Sequence, residues 1–399
     1  MSLLKLSLVF LVMIILLVKK VPLSRVVLLG GLGLILLSAM PPLTVMTVIK
    51  DSLLEPTVID LLIVLALIML LEEILRTENY LDQTLKALEV LVPYPRVVLM
   101  LLPAFIGLIP SAGGARFSAP LVEKASEGMV ITPEQKSYVN FFYRHITEYM
   151  LPIYPNVILA STITGLSVAS ILSYMTPYGF INIFLGLFFV LQIPKTTKKV
   201  ITGKKSTMVL PFILATLPIF LIVFFVIGLK MEVKYSILIV LIGLFLRHLY
   251  SPKKIYQAIL RSFHLKTLWL VITLMAFKGI LEGSGLLVDL PQIIEKLPFP
   301  SFIAFGLVLF SLGFITGLQT AAVGLGFPII LAATGQMDPF MAGALYACGL
   351  CGQMLTPLHL CLTLTVDYFK ANLIQVMKML LLPELSLLSI AILSYIFLH

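Results

Sequence analysis

Apolar residues in this chain come in long blocks separated by short polar or charged turns, without the strict alternation of a half-buried strand. Many of the blocks approach the roughly 20 residues that cross a hydrocarbon layer at about 1.5 Å of rise each. Inside lipid, backbone N–H and C=O groups must bond within their own segment, so the blocks are expected to be helices. The expected spans are 2–18, 23–40, 57–76, 135–173 (long and broken), 179–194, 208–229, 234–249, 266–283, 339–365 (broken) and 379–398.

The pattern repeats. Shifting the second half back by about 206 positions superposes the blocks in order. Local matches follow at nearly the same offset: Pro93-Tyr94-Pro95 on Pro298-Phe299-Pro300, Gly107-Leu108-Ile109 on Gly313-Phe314-Ile315, and Met150-Leu151 on Met354-Leu355. The chain therefore divides into a first unit, 1–206, and a second, 207–399. Each unit carries an amphipathic segment. In 79–92, Leu81, Leu85, Leu88 and Val92 share one face, opposite Asp82, Lys86 and Glu89; 286–297 repeats it with Leu290, Ile293, Ile294 and Leu297. Such segments suit a helix lying in the membrane interface.

Each unit also holds an interrupted apolar segment, 94–128 around Pro110–Pro120 and 299–334 around Thr316–Pro328. Either is a kinked span or a re-entrant hairpin that leaves on the side it came from, and charge decides between them. With hairpins, each half has five spans and the halves are inverted. With both termini outside, the inner face receives Lys19, Lys20, Arg25, Arg76, Lys86, Arg96, Lys124, Lys136, the cluster Lys195–Lys205, Arg247, Lys253, Lys254, Arg261, Lys266, Lys370 and Lys378. The outer face receives only Lys5, Lys50, Lys230, Lys234 and Lys296. That is the positive-inside pattern of an inner (plasma) membrane protein, and it favours hairpins.

Composition agrees: 60% of the 399 residues are hydrophobic, only 12% are charged, and mean hydropathy is +1.09. A water-soluble domain is about a quarter charged. The net charge of +9 is explained by the sided loops, so no nucleic-acid partner is expected. Residues 1–18 end in Val18-Lys19-Lys20 without a small-residue cleavage pattern and are read as a retained first span. Cys348 and Cys351 have the spacing of a redox or metal pair, but no second pair completes a site, so they are read as small packing residues.

The architecture resembles the ion-transporter superfamily of divalent-anion/sodium symporters and gluconate-type permeases. Locally, Gly107-Leu-Ile-Pro-Ser-Ala-Gly-Gly-Ala-Arg-Phe-Ser-Ala-Pro120 and Thr356-Pro-Leu-His-Leu-Cys-Leu-Thr-Leu-Thr365 are similar to a prokaryotic family in it known as domain of unknown function 401. The resemblance implies a homodimer with elevator-type alternating access. The Ser-Asn-Thr tips that hold sodium and carboxylate in the divalent-anion symporters are absent, so neither property carries over residue by residue.

Helix ends freed in mid-membrane expose N–H groups that favour anions and C=O groups that can hold cations. The residues expected around substrate are Ser111, Ala112, Gly113, Gly114 and Arg116 at the first tip, and Thr316, Gln319 and Thr320 at the second. Asn156, Thr356 and His359 join them from helix breaks at Pro152–Asn156 and Thr356–His359. Arg116 either holds a carboxylate bidentately or pairs with a neighbouring acid. Arg144, His145 and Glu148 are the ion-coupling candidates. Arg144 and Glu148 have the spacing of an internal i,i+4 pair, while Glu148 with His145 or His359 either carries a proton or simply bonds within the packing. Lys278/Glu282 and Glu72/Arg76 read as structural pairs at span ends.

No HExxH, GxSxG, paired intramembrane aspartates or Walker A sequence occurs, so neither an enzyme nor a nucleotide-driven pump is expected. The expectation is an all-α secondary transporter of a small organic anion, coupled to H⁺ or Na⁺ and otherwise without cofactor. An inorganic Na⁺/H⁺-type antiporter is the alternative. Spans 2–40 and 208–249 are the expected fixed scaffold.

Overall fold

Proline and glycine punctuate the apolar blocks, and more than half of the helices of the computed structural model start or stop at one. The structure describes all residues except Met1, Lys20, 110–114, 195–204, Glu295, Leu297 and His399, and the side chains of Ser2, Leu3, Glu89, Arg116, Ile293 and Ile294. Among the described residues the fold is all helix, with no strand.

The chain opens with an apolar pair, α1 (Ser2–Val18) and α2 (Leu23–Ser38). Pro42 starts α3 (Pro42–Leu54), and Pro56 starts α4 (Pro56–Thr77), which is followed by the amphipathic α5 (Tyr80–Leu91). Then come α6 (Pro95–Gly107), α7 (Ala115–Ser126) and α8 (Pro133–His145), the last prolonged by a 3-10 turn over Ile146–Tyr149. The first half closes with α9 (Pro155–Thr164) and α10 (Val168–Val190). In the second half, α11 (Lys205–Val223) widens into a π-type turn at Phe224–Gly228, and α12 (Val233–Arg247), α13 (Pro252–Ser262) and α14 (Leu265–Gly283) follow. Next are α15 (Leu290–Ile294), α16 (Ser301–Thr316), the short α17 (Gln319–Ala321), a π-type turn at Ala322–Gly326 and α18 (Phe327–Thr334). The chain ends with α19 (Pro339–Met354), α20 (Leu360–Phe369) and α21 (Leu373–Leu398).

Three of these helices, α10, α11 with its π turn, and α21, are long and apolar enough to cross a membrane. The pair α13–α14, bent by 59°, makes a fourth if counted as one span. The fold is compatible with a membrane protein.

Four expectations are corrected. The stretches 41–56 and 250–265 are not plain connections but carry α3 and α13, of 13 and 11 residues, too short to register as spans. The boundary expected near 173–179 lies at Gly165, whose φ of +73° ends α9; Ser167 then caps α10, which runs through Pro177. Among the described residues of 286–297, only Leu290–Ile294 is helical, after a turn through Gly285 at φ +69°. Finally, Arg76 bonds Glu73, not Glu72. Positions three and four apart are both neighbours on a helix, and Glu73 is the buried acid that needs a partner. Lys278 and Glu282 do pair, at 3.7 Å.

Helices approach most closely where glycine lets backbone meet backbone. A Cβ on Gly107 of α6 would collide with the Arg144 carbonyl of α8. In the second half, one on Gly313 of α16 would collide with the Gly349 carbonyl of α19, and one on Gly352 with the Phe310 carbonyl. All three cysteines are free and buried, and Cys348 serves the same packing, its Sγ 3.3 Å from where a Gly306 Cβ would stand.

Polar contacts fix which helix ends meet. Lys234 reaches Asp60 at 2.8 Å, joining the starts of α12 and α4. At their other ends Glu78 accepts from Tyr250 (2.8 Å) and Lys254 (3.0 Å) and lies 3.1 Å from His248. At the start of α6, Arg96 bonds the Ile193 carbonyl just after α10; at the start of α8, Glu134 accepts from the Asn372 N–H at 3.0 Å. Ile193 shares one apolar cluster with Phe369 and Val376, so these ends lie together. At the far end of α21, the Tyr395 ring stacks on Phe302 (4.0 Å between centroids) and its hydroxyl lies 3.4 Å from Asp338.

Two outcomes are expected. Gly352→Val should lower the thermal midpoint in detergent by an overpacking cost of about 1–3 kcal/mol. Gly243→Ala, with nothing within 4 Å of its Cβ, should not. Burial raises the Glu78 carboxyl, but Tyr250, Lys254 and His248 outweigh it and hold its pKa below the ordinary value. A depressed pKa gives stability that is present above the unfolded value, about 4.3, and lost as pH falls through the folded one. Glu78→Gln should flatten that acid limb in thermal unfolding measured against pH.

Candidate functional site

Two helices break in their middles because proline forbids their continuation. Thr132 and Gln135 form a capping box that starts α8, which tightens to 3-10 geometry after His145 and stops before Pro152 and Pro155. In the second half α19 ends at Met354, the chain turns through Pro357 and Leu358, and His359 stands at the N-cap of α20. The expected breaks at Pro152–Asn156 and Thr356–His359 are therefore where the chain turns.

The breaks meet each other and the second tip. His145 Nε2 lies 3.0 Å from His359 Nε2. One turn before His145, Asn140 Nδ2 donates to Thr365 Oγ1 at 3.0 Å and to the Ala115 carbonyl at 3.3 Å. Thr320 Oγ1 donates to Asn156 Oδ1 at 2.7 Å. Gly317, at φ +69°, turns the second tip and brings its carbonyl to His359 Nδ1 at 2.8 Å. The Gln319 N–H donates to Gln353 Oε1 at 2.5 Å, and the Gln319 amide donates to the Tyr346 carbonyl at 2.9 Å. Near the first tip, the Tyr154 hydroxyl donates to the Gly107 carbonyl at 2.5 Å.

The two imidazoles have assignable protons. His145 Nδ1 faces the Phe141 carbonyl at 2.7 Å, and His359 Nδ1 faces that of Gly317. A carbonyl only accepts, so each Nδ1 carries a hydrogen and, in the neutral ring, each Nε2 presents a lone pair. The lone pairs point at one another. Glu148 Oε1 lies 3.8 Å from His145 Nε2, Cys361 Sγ is close by, and the Phe141 ring packs on both imidazoles, 4.6 and 5.4 Å away. Glu148, His145, His359 and Arg144 are all buried.

Of the expected substrate residues, Asn156, Gln319, Thr320 and His359 thus come together. Thr316 and Thr356 turn the backbone instead: Thr316 Oγ1 donates to the Leu312 carbonyl (2.6 Å), and Thr356 Oγ1 accepts the Leu358 N–H (3.2 Å). Ser111, Ala112, Gly113 and Gly114 lie outside the described residues; Arg116 has its backbone in α7 and its side chain outside them. The expected Arg144–Glu148 spacing is interrupted by the 3-10 turn, and the Glu148 carboxylate comes within ion-pair distance of His145. Beside the second tip a cleft of about 390 Å³ is lined by Thr316, Leu318, Pro357, Leu358, Thr363 and the α1–α2 turn.

Sequence reading missed two groups. Cys361 lies among the histidines, not in a packing seam alone. Glu384 is fully buried in α21, with Asn182 Nδ2 at 3.5 Å. An acid inside a long apolar helix was the available signal.

A double-mutant cycle of Asn156→Ala and Thr320→Ala, read by thermal unfolding in detergent, should return a coupling of about 0.6 kcal/mol, the usual size for a hydrogen bond between membrane helices. Additive single effects would mean that the bond does not join the break to the tip.

No curated protein matches the chain. A family model described as "Protein of unknown function (DUF401)" matches residues 1–398, and the chain belongs to that family.

Proposed function

We propose that the protein is a secondary active transporter of a small organic anion, a carboxylate, coupled to H⁺ or Na⁺ and working by elevator-type alternating access. The observation that carries this reading is the convergence of two broken helices on the turn at Gly317 between α16 and α17. The start of α16 and the chain after α18 both meet one residue, Tyr395, while Gly317 between them reaches His359. The contacts of Arg96 with Ile193 and of Glu134 with Asn372 support the same re-entrant course for 94–128.

Helix contacts support an approximate two-fold relation between 1–206 and 207–399. The packing of α2 on α14 has its counterpart in α12 on α4, α3 on α14 in α13 on α4, α6 on α8 in α16 on α19, and α10 on α19 in α21 on α8. The sided ends support inversion: the pairs at Lys234–Asp60 and Glu78–Lys254 join loops that the charge pattern assigns to the same face. An elevator needs two bodies, and α6–α10 with α16–α21 pack chiefly among themselves, as do α1–α5 with α11–α14. On this reading the protein is a homodimer of the inner membrane with both termini extracytoplasmic.

An anionic cargo is favoured by the buried Arg144 and by the N-termini of α9 and α20, which open from the two breaks. The cleft beside the tip is of small-molecule size. One observation favours the second reading, a Na⁺/H⁺-type antiporter: the buried cluster of Arg144, His145, Glu148 and His359 suits a cation without any organic solute.

Uptake into proteoliposomes decides between them. A panel of carboxylates, tested with and without Na⁺ and pH gradients, should include at least one that accumulates when a gradient is imposed. Arg116→Ala should weaken its apparent affinity about tenfold or more, the loss expected of a charge-assisted hydrogen bond. Lumenal pH change driven by Na⁺ alone selects the antiporter. Flux of neither kind under any gradient overturns the transporter reading.

A further inference from the structure

We propose that His145, His359 and Cys361 form a binding site for a thiophilic divalent cation of the Zn²⁺ class, with the Glu148 carboxylate as the neighbouring negative charge. The site rests on side-chain geometry and stands whether or not the chain carries an organic anion.

The ligand atoms of the three residues lie within 4.8 Å of one another, and all three residues are buried. The two Nε2 atoms are 3.0 Å apart, and Glu148 Oε1 is 3.8 Å from the nearer one. A tetrahedral ion with bonds of about 2.0–2.3 Å spaces neighbouring ligand atoms about 3.3–3.8 Å apart, so small side-chain rotations suffice to admit it. The imidazoles are prepared for this. Each donates its Nδ1 hydrogen to a backbone carbonyl, the outer contact that fixes the tautomer of a metal-bound histidine and turns Nε2 toward the ion. Two lone pairs aimed at each other repel; a cation between them makes the arrangement attractive.

Donor chemistry selects the ion. Two imidazole nitrogens and a sulfur suit Zn²⁺ and its neighbours, whereas Na⁺, Mg²⁺ and Ca²⁺ prefer sites built of oxygen. On binding, the Cys361 S–H bond breaks, its proton passes to solvent, and a sulfur–metal bond forms. Thiolate and the Glu148 carboxylate together balance the two positive charges, with the Arg144 guanidinium as the neighbouring cation. The cleft beside the second tip is lined by Leu358 and Thr363, which flank His359 and Cys361 in sequence. The Phe141 ring packs against both imidazoles.

Co²⁺ titration of the purified full-length chain in detergent tests the site without any transport assay. One equivalent should give the visible bands of a tetrahedral ion and a near-ultraviolet thiolate-to-cobalt charge-transfer band, both abolished by Zn²⁺. Cys361→Ser should remove the charge-transfer band, and the Cys348→Ser control should keep it. His145→Gln and His359→Gln should each weaken Co²⁺ at least about tenfold, since even outer contacts of a metal site cost 10–100-fold. Zn²⁺ should raise the thermal midpoint of the parent chain and not that of His359→Gln, and the metal-free midpoints show whether each variant has folded. A parent chain without the charge-transfer band, or a band that survives in a folded Cys361→Ser variant, overturns the proposal. If transport fails its own test while Co²⁺ behaves as described, the metal site stands alone.

Discussion

A carbonyl or N–H freed by a helix break inside an apolar layer has no water to bond, and leaving it bare costs several kcal/mol. Several backbone groups near the breaks are answered by a side chain reaching across from another element. Tyr154, beyond the first broken helix, bonds Gly107 at the end of α6; His359, in the second, bonds Gly317 at the tip; Gln353 takes the Gln319 N–H; Asn140 reaches the Ala115 carbonyl. The polar centre of the molecule is therefore a set of mutual repairs. A tip cannot leave its broken helix without stranding backbone groups, which ties the pieces together more specifically than apolar packing would.

Much of this frame was legible in the sequence, and for a physical reason. Helix interiors in lipid are apolar by necessity, so blocks such as 23–40 and 208–229 stand out, and proline marks breaks at Pro152, Pro155 and Pro357 because it has no N–H to give. What escaped was short or non-local. The helices α3 and α13 are too brief to be spans, and the end of α9 is set by the left-handed backbone of Gly165, not by a drop in hydropathy at 173. Arg76 turned to Glu73 because burial, which spacing does not reveal, decided which of two adjacent acids needed it.

The contacts at the breaks were the least legible. His145 and His359 lie 214 positions apart, Asn140 and Thr365 lie 225 apart, and no periodicity links them. The sequence marked His145, Glu148 and His359 singly, as polar groups out of place in apolar surroundings, but not that two of them touch. Cys361 was hidden by the opposite effect. A cysteine in an apolar helix looks like a small packing residue, as Cys348 is, and only the neighbouring imidazoles distinguish the two.

The 26-residue α21 has a consequence of its own. Near its start Asn372 is fastened to Glu134, at the foot of the first broken helix; near its end Tyr395 is fastened to both Phe302 and Asp338. At about 1.5 Å per residue it is a rod of roughly 39 Å, bolted at each end to a different half of the chain. Tilting that rod swings both halves at once, so the spacing between their outer feet is set by the length of a single helix.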